Sequence, residues 1–263
     1  MLRQRACDAV TDAHGSSAEL GSALGPLPER FVETLRSLHA VAEHVLAAAR
    51  YAAVGRIGLE PVGRGFGTPP FPEPRQHADR RLLVEGDVLA RVDGGATLVE
   101  PLTTLRAAAE FAQVDAGAPD VYVASTPLDL DAALAVDADA SYALGVWFTF
   151  VASALDDFVG SVDRAGETPA ERTLWPEHFD LATELGPAGA RANYGGSPGD
   201  DANPEPYLYV GPWDEPPADA LWNATSFPGA LISYRELRAA ADPLRAARGL
   251  FARARDRLLE GAH

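Results

Sequence analysis

His178 and Asp180 stand two residues apart within Trp175–Trp213, a stretch reading WPEHFDLATELGPAGARANYGGSPGDDANPEPYLYVGPW. On a β-strand, positions i and i+2 share a face. A strand over His178–Ala182 therefore aligns an imidazole with a carboxylate. That pair suits three roles: a general base oriented by its carboxylate, two ligands of a metal completed by Asp200, Asp201 or Glu205 from the following loop, or the solvent or hydrogen-bonding face of an edge strand. The same stretch offers lining for a ligand cleft in Trp175, Asn193, Tyr194, Ser197, Glu205, Tyr207 and Tyr209. Tyr207 and Tyr209 share one face of a strand, either presenting hydroxyls to a pocket or packing as amphipathic core.

Several sharper motifs fail on mechanism. Gly195-Gly-Ser-Pro-Gly199 matches the letters of a serine nucleophile elbow. That device needs the backbone N–H after the serine as an oxyanion donor, and Pro198 has none. Its later histidine would have to be His263, the last residue. The Gly63-Arg-Gly-Phe-Gly loop is followed by Pro69, Pro70, Pro72 and Pro74, which block the helix that a dinucleotide fingerprint requires. Asp129, Asp131, Asp137 and Asp139 lack the glycine and terminal glutamate of a calcium loop. His39 and Glu43 lie one turn apart on a helix, but His44 points elsewhere in α geometry, so no two-histidine zinc helix follows and these side chains read as structural or solvated.

The elements that must position these residues follow from periodicity. Apolar residues from Phe31 to Leu46 recur at helical spacing, and Gly55 ends that helix. Arg56–Glu60, Arg81–Arg91 and Thr97–Glu100 read as strands, the last two joined by a turn at Asp93-Gly94-Gly95. Leu102–Val114 is a helix capped by Thr103 or Thr104, and Asp120–Ala124 is strand-like. A buried aromatic helix covers Ser141–Val159, and Tyr142–Leu155 is too short an apolar run to span a bilayer. Tyr207–Val210, Trp222–Phe227 and Ala230–Tyr234 read as strands, and helices over Ser233–Ala241 and Pro243–Leu259 close the chain.

The order helix, short strand, Gly/Pro loop, strands, helix occurs twice, each time ending in Leu-Arg-Ala-Ala-Ala, at Leu105 and Leu237. The expectation is an α+β fold of two similar helix–three-strand–helix halves. These form largely antiparallel sheet with helices packed outside. A mobile tail over residues 1–25 precedes a single α+β domain over 26–263, made of two pseudo-repeats, 26–115 and 141–260, joined by 116–140.

Composition narrows the partners. Thirty-eight acidic residues face 22 basic ones, giving a net charge of −16, and every basic residue is arginine. Such a surface repels phosphate backbones, so no nucleic-acid partner is expected. The single cysteine, Cys7, leaves no internal disulfide, and the N-terminus lacks the apolar core of a signal peptide. A cytoplasmic protein with no membrane partner is the resulting expectation. Neither a cofactor nor an oligomeric state follows from the sequence.

At Phe179-Asp-Leu-Ala, Ser197-Pro-Gly, Pro204-Glu-Pro-Tyr and Tyr234 through Asp242-Pro243, with Arg238 four residues after Tyr234, the chain resembles a family of uncharacterised bacterial, mainly actinobacterial, proteins. That family is a domain of unknown function. Leu38-His39 and Gly55-Arg-Ile-Gly-Leu extend the resemblance over about residues 30–255. The chain departs from the pattern before FDLA, where Trp175-Pro-Glu-His replaces a histidine–aromatic–aromatic–tryptophan run. The resemblance implies a shared fold and no activity. Two functions remain open: a small-molecule binding protein with its cleft at Trp175–Trp213, or an enzyme, a hydrolase or isomerase, using His178 and Asp180 with or without a metal.

Overall fold

The computed structural model describes residues 24–73, 78–162 and 167–261. The expected tail thus lies outside the described residues up to position 23. At its end, the Leu24 and Gly25 carbonyls accept hydrogen bonds from Arg238 Nε (3.2 Å) and the Tyr234 hydroxyl (2.9 Å). The fold is α+β, with helices and two antiparallel sheets. The chain divides into two compact units. Among described residues, the first holds 26–146 and Leu174–Phe179; the second holds 24–25, 147–173 and 180–261.

The first unit opens with helix α1 (Phe31–Val41), which passes through a π-helical segment (Ala42–Ala47) into α2 (Ala48–Val54). Gly55 ends it at φ 67°, the left-handed conformation that glycine adopts without steric cost. Leu38, Val41, Val45 and Leu46 are fully buried. Strands β1 (Glu60–Val62), β2 (Gly65–Gly67), β3 (Phe71–Glu73), β4 (Ala78–Glu85), β5 (Val88–Asp93) and β6 (Ala96–Pro101) form one sheet of order β1-β2-β4-β5-β6, with β3 also on β4. The strand expected over Arg81–Arg91 is two strands, because Gly86 at φ 61° turns the chain between them. Alternation along β4 sends Arg80, Leu82 and Val84 inward. Buried Arg80 binds Asp93 Oδ1 (2.7 Å), Glu73 Oε2 (3.0 Å), Gln113 Oε1 (2.9 Å) and the Ala112 carbonyl (3.3 Å). It thereby ties two strands to the C-terminal end of α3 (Leu105–Ala112), where the helix dipole favours a cation. Thr104 caps α3, its hydroxyl accepting from Ala107 N at 3.1 Å. Residues 113–137 contain no helix or strand, so Asp120–Ala124 is not the strand expected.

Helix α4 (Ala138–Ser161) is longer than its apolar run suggested. By length and composition it is the one helix among the described residues able to cross a membrane. Trp147, Phe148, Phe150, Val151 and Phe158 are all buried on it, which is how a core helix packs.

The second sheet comprises β7 (Thr173–Trp175), β8 (Asp180–Leu185), β9 (Ala192–Ser197), β10 (Tyr207–Pro212) and β11 (Ala230–Ser233) in the order β11-β10-β9-β8-β7. Helices α5 (Tyr234–Ala239) and α6 (Pro243–Gly261) follow, α5 opened by a Ser233–Glu236 capping box. The six and five strands of the two sheets exceed the three expected of each half. Trp222–Phe227 is irregular, with a bend over Thr225–Phe227, rather than a strand. Gly195 and Gly196, read from sequence as loop, lie inside β9 because packing needs their missing side chains. A Cβ on Gly196 would sit 2.4 Å from Val151 Cγ2, where α4 crosses the sheet.

Candidate functional site

Register sorts the central strands of the second unit into two chemically distinct faces. Tyr207 pairs with Ser197, Tyr209 with Gly195 and Gly211 with Asn193; Ala182 pairs with Gly195 and Glu184 with Asn193. Asp180, Ser197, Tyr207, Tyr209, Glu184 and Asn193 therefore share one face. Leu181, Tyr194, Leu208 and Val210 occupy the other, in the core.

Both tyrosines on the polar face donate to carboxylates. The Tyr207 hydroxyl meets Asp200 Oδ2 at 2.6 Å and the Tyr209 hydroxyl meets Asp180 Oδ2. Asp200 is itself fixed by the amides of Ala202 and Asn203, both at 2.7 Å. Ser197 Oγ accepts from Gly199 N at 3.1 Å and touches the Tyr207 hydroxyl, so this serine holds the loop and a tyrosine rather than a nucleophile's geometry. The ring centroids of Tyr207 and Tyr209 lie 6.3 Å apart, and Phe227 packs edge-on to Tyr209 at 6.1 Å. Gly195 makes room for this: a Cβ there would come within 2.9 Å of Tyr209 Cζ. Desolvation first, then the neighbouring carboxylates, push both phenols above the usual tyrosine range. They remain neutral donors, not bases. Further along the face, Glu184 binds Arg191 (2.7 Å), Arg191 lies over the Trp213 ring (5.1 Å), and Trp213 Nε1 donates to Asn193 Oδ1 (3.2 Å).

The other sequence candidates fall elsewhere. Tyr194 is fully buried against Phe158 and Phe251, its hydroxyl unpaired and its pKa raised by that burial. It is core. Glu205 is exposed, 4.0 Å from Arg235. Trp175 ends β7, 38% exposed. His178 corrects the central expectation. It is exposed in the turn Pro176–Phe179, not on β8, which begins at Asp180. Phe179 has φ 52°, a strained value for a bulky residue that breaks the i, i+2 alignment of histidine and aspartate. Among the described residues, no group of three or more His, Cys, Asp or Glu side chains is arranged to hold a metal ion.

A second polar cluster lies in the first unit, where a π-helical segment replaces the α-helical spacing expected of Glu43 and His44. Glu43 and His44 are both buried. The Glu43 carboxylate accepts from the amides of Ser125 and Thr126, each at 2.8 Å, and from the Thr126 hydroxyl. His44 Nε2 lies 3.1 Å from both the Thr126 carbonyl and its hydroxyl. The wider π turn is what brings neighbouring positions 43 and 44 to one residue; π segments mark functional or constrained sites. His39 Nε2 donates to the Pro176 carbonyl at 2.8 Å, 3.9 Å from Glu43, and its ring stacks on Phe179 at 5.1 Å. The strained Phe179 backbone is thus what aims its ring at His39.

Desolvation holds the His39 pKa below 6.5, against the opposing pull of Glu43. The unfolded chain then takes up a proton before the native state does, so stability falls as pH drops below about 6.5 and recovers above it. Urea unfolding at pH 7.5 and 5.5 should show this loss in the wild type and a smaller one in His39→Gln. Equal losses in both would remove His39 as the cause.

Comparison of the chain with protein-family models, with curated proteins and with solved structures found no match.

Proposed function

We propose that this protein binds a small polar molecule carrying a cationic group, and that the tyrosine face of the second sheet is its site. The observation that carries this reading is the pairing of Tyr207 with Asp200 and Tyr209 with Asp180 on one face, beside Phe227. A carboxylate offers a cation charge-assisted hydrogen bonds, and adjacent aromatic rings offer their negative faces. The tyrosine hydroxyls fix the carboxylates in place, which lowers the ordering cost of binding. The overall charge of −16 raises the local concentration of cations near the surface. The same proposal accommodates the resemblance to the uncharacterised family, because its FDLA and PEP-aromatic-x-Tyr patterns supply Asp180, Tyr207 and Tyr209.

Isothermal titration against a panel of small amines, guanidines and quaternary ammonium compounds tests it. We expect saturable binding by at least one class, weakened about tenfold or more in Asp180→Asn. Tyr209→Phe should also weaken it while lowering fold stability by about 1.5–3 kcal/mol, the usual net value of a hydrogen bond to a charged group. Absence of binding across the panel, or binding indifferent to both substitutions, would sink the proposal.

A further inference from the structure

Residues 113–137 join two helices without any helix or strand of their own, and irregular connections of that length inside a compact unit are uncommon unless they have a task. This one is held firmly from beneath. Glu43 takes the amides of Ser125 and Thr126, His44 contacts Thr126, and the His44 carbonyl accepts Gly117 N at 3.0 Å. Nearer its end, Ser37 Oγ accepts Ala135 N at 2.9 Å and Thr34 Oγ1 accepts Asp137 N at 3.0 Å. Burying a carboxylate to fix a loop carries a desolvation cost that a merely connecting segment has no need to incur.

What the clamp displays is apolar. Tyr122, Ala124 and Thr126 are half-buried, while Val121, Val123, Ser125 and Pro127 alternate outward, followed by Leu128. Val123 is 90% exposed, Val121 55% and Leu128 50%. Single exposed aliphatics are ordinary, but three on one pre-ordered ridge are not scattered residues. The ridge is flanked by the exposed Asp120 and Asp129; Asp129 Oδ1 accepts the Asp131 and Ala132 amides at 3.3 and 3.1 Å, and no ion pair is seen at either aspartate among the described residues. Asp131 beyond them is neutralised by Arg106 at 2.8 Å.

We propose that the ridge Val121–Leu128 is a docking surface for a partner polypeptide that presents aliphatic side chains between basic ones. Aliphatic contact covers the valines and the basic residues meet Asp120 and Asp129. A second copy of this chain is disfavoured as the occupant, since it would bring the same carboxylates and a further −16 of charge to the interface. The ridge belongs to the first unit and is independent of the tyrosine face.

The test uses the full chain and a fluorescently labelled peptide alternating valine and arginine. Two controls replace its valines by serine or its arginines by glutamate. Anisotropy should report saturable binding of the valine–arginine peptide, and binding about tenfold weaker or worse for either control. The double variant Val121→Ser, Val123→Ser, whose altered side chains are exposed and whose circular dichroism should be unchanged, should lose binding to the same degree. No binding, or binding equal in the double variant, overturns the proposal by leaving nothing or only general attraction to an acidic surface. Light scattering supplies the other adverse outcome: a dimer abolished by the double variant would give the ridge to a second copy.

Discussion

Glu43→Ala is expected to lose about 3–5 kcal/mol of stability, since each donor left without its acceptor costs about 1–3 kcal/mol and the emptied space adds a cavity term. The carboxylate is fully buried and accepts two backbone amides and a hydroxyl from Ser125 and Thr126. Deleting it leaves those donors without a partner and opens a cavity in the π turn. Glu43→Gln keeps the volume and one acceptor oxygen, so its loss should be clearly smaller. Urea unfolding measures both. Hydrogen exchange locates the effect: protection of the Ser125 and Thr126 amides should vanish in the alanine variant while the β4–β5 ladder is retained. An alanine variant as stable as the wild type would mean that the clamp contributes nothing.

Gly145→Ala should be comparably damaging, against its intrinsic preference. In the interior of a helix, alanine is favoured over glycine by about 1 kcal/mol. At Gly145 on α4, however, a Cβ would stand 2.0 Å from the Arg64 carbonyl oxygen, 2.2 Å from its carbon and 2.7 Å from Gly65 N. Those atoms are backbone and cannot swing aside like a side-chain tip. The neighbouring strand is equally tight, since a Cβ on Gly65 would lie 1.9 Å from the Val84 carbonyl oxygen. Overpacking wins over propensity, and a net loss of about 2–4 kcal/mol follows. Gly160→Ala on the same helix is the control. Nothing lies within 4 Å of its Cβ position, so it should be neutral or gain up to about 1 kcal/mol. A Gly145→Ala protein at least as stable as the Gly160→Ala one would show that helix and turn separate freely.

Much of the local structure was legible because it depends on near neighbours in sequence. The helical period from Phe31, the Thr104 cap, the long helix through Trp147, the Tyr207 strand and the two closing helices all stand where periodicity and capping chemistry put them. The shared face of Tyr207 and Tyr209 followed from strand parity alone, whereas the register of β9 was needed to bring Ser197 onto it.

Other features needed atoms distant in sequence. Glycine pairs signal either a turn or a close approach, and only Val151 and Tyr209 packing against Gly196 and Gly195 decide that β9 runs through them. His178 and Asp180 separate because Phe179 turns to φ 52° and stacks on His39, 140 positions earlier in the chain. His39 and His44 read as structural or solvated because α-helical spacing points His44 away from His39 and Glu43. A π turn and a loop some 80 residues later make Glu43 and His44 the buried anchor of that loop. Helix positions and the parity of strands such as β6, β10 and β11 were readable from sequence, since they depend on local steric and hydrogen-bonding rules. The tertiary structure decided which polar groups are buried and which partners they meet, since desolvation is set by whatever the rest of the chain lays over them.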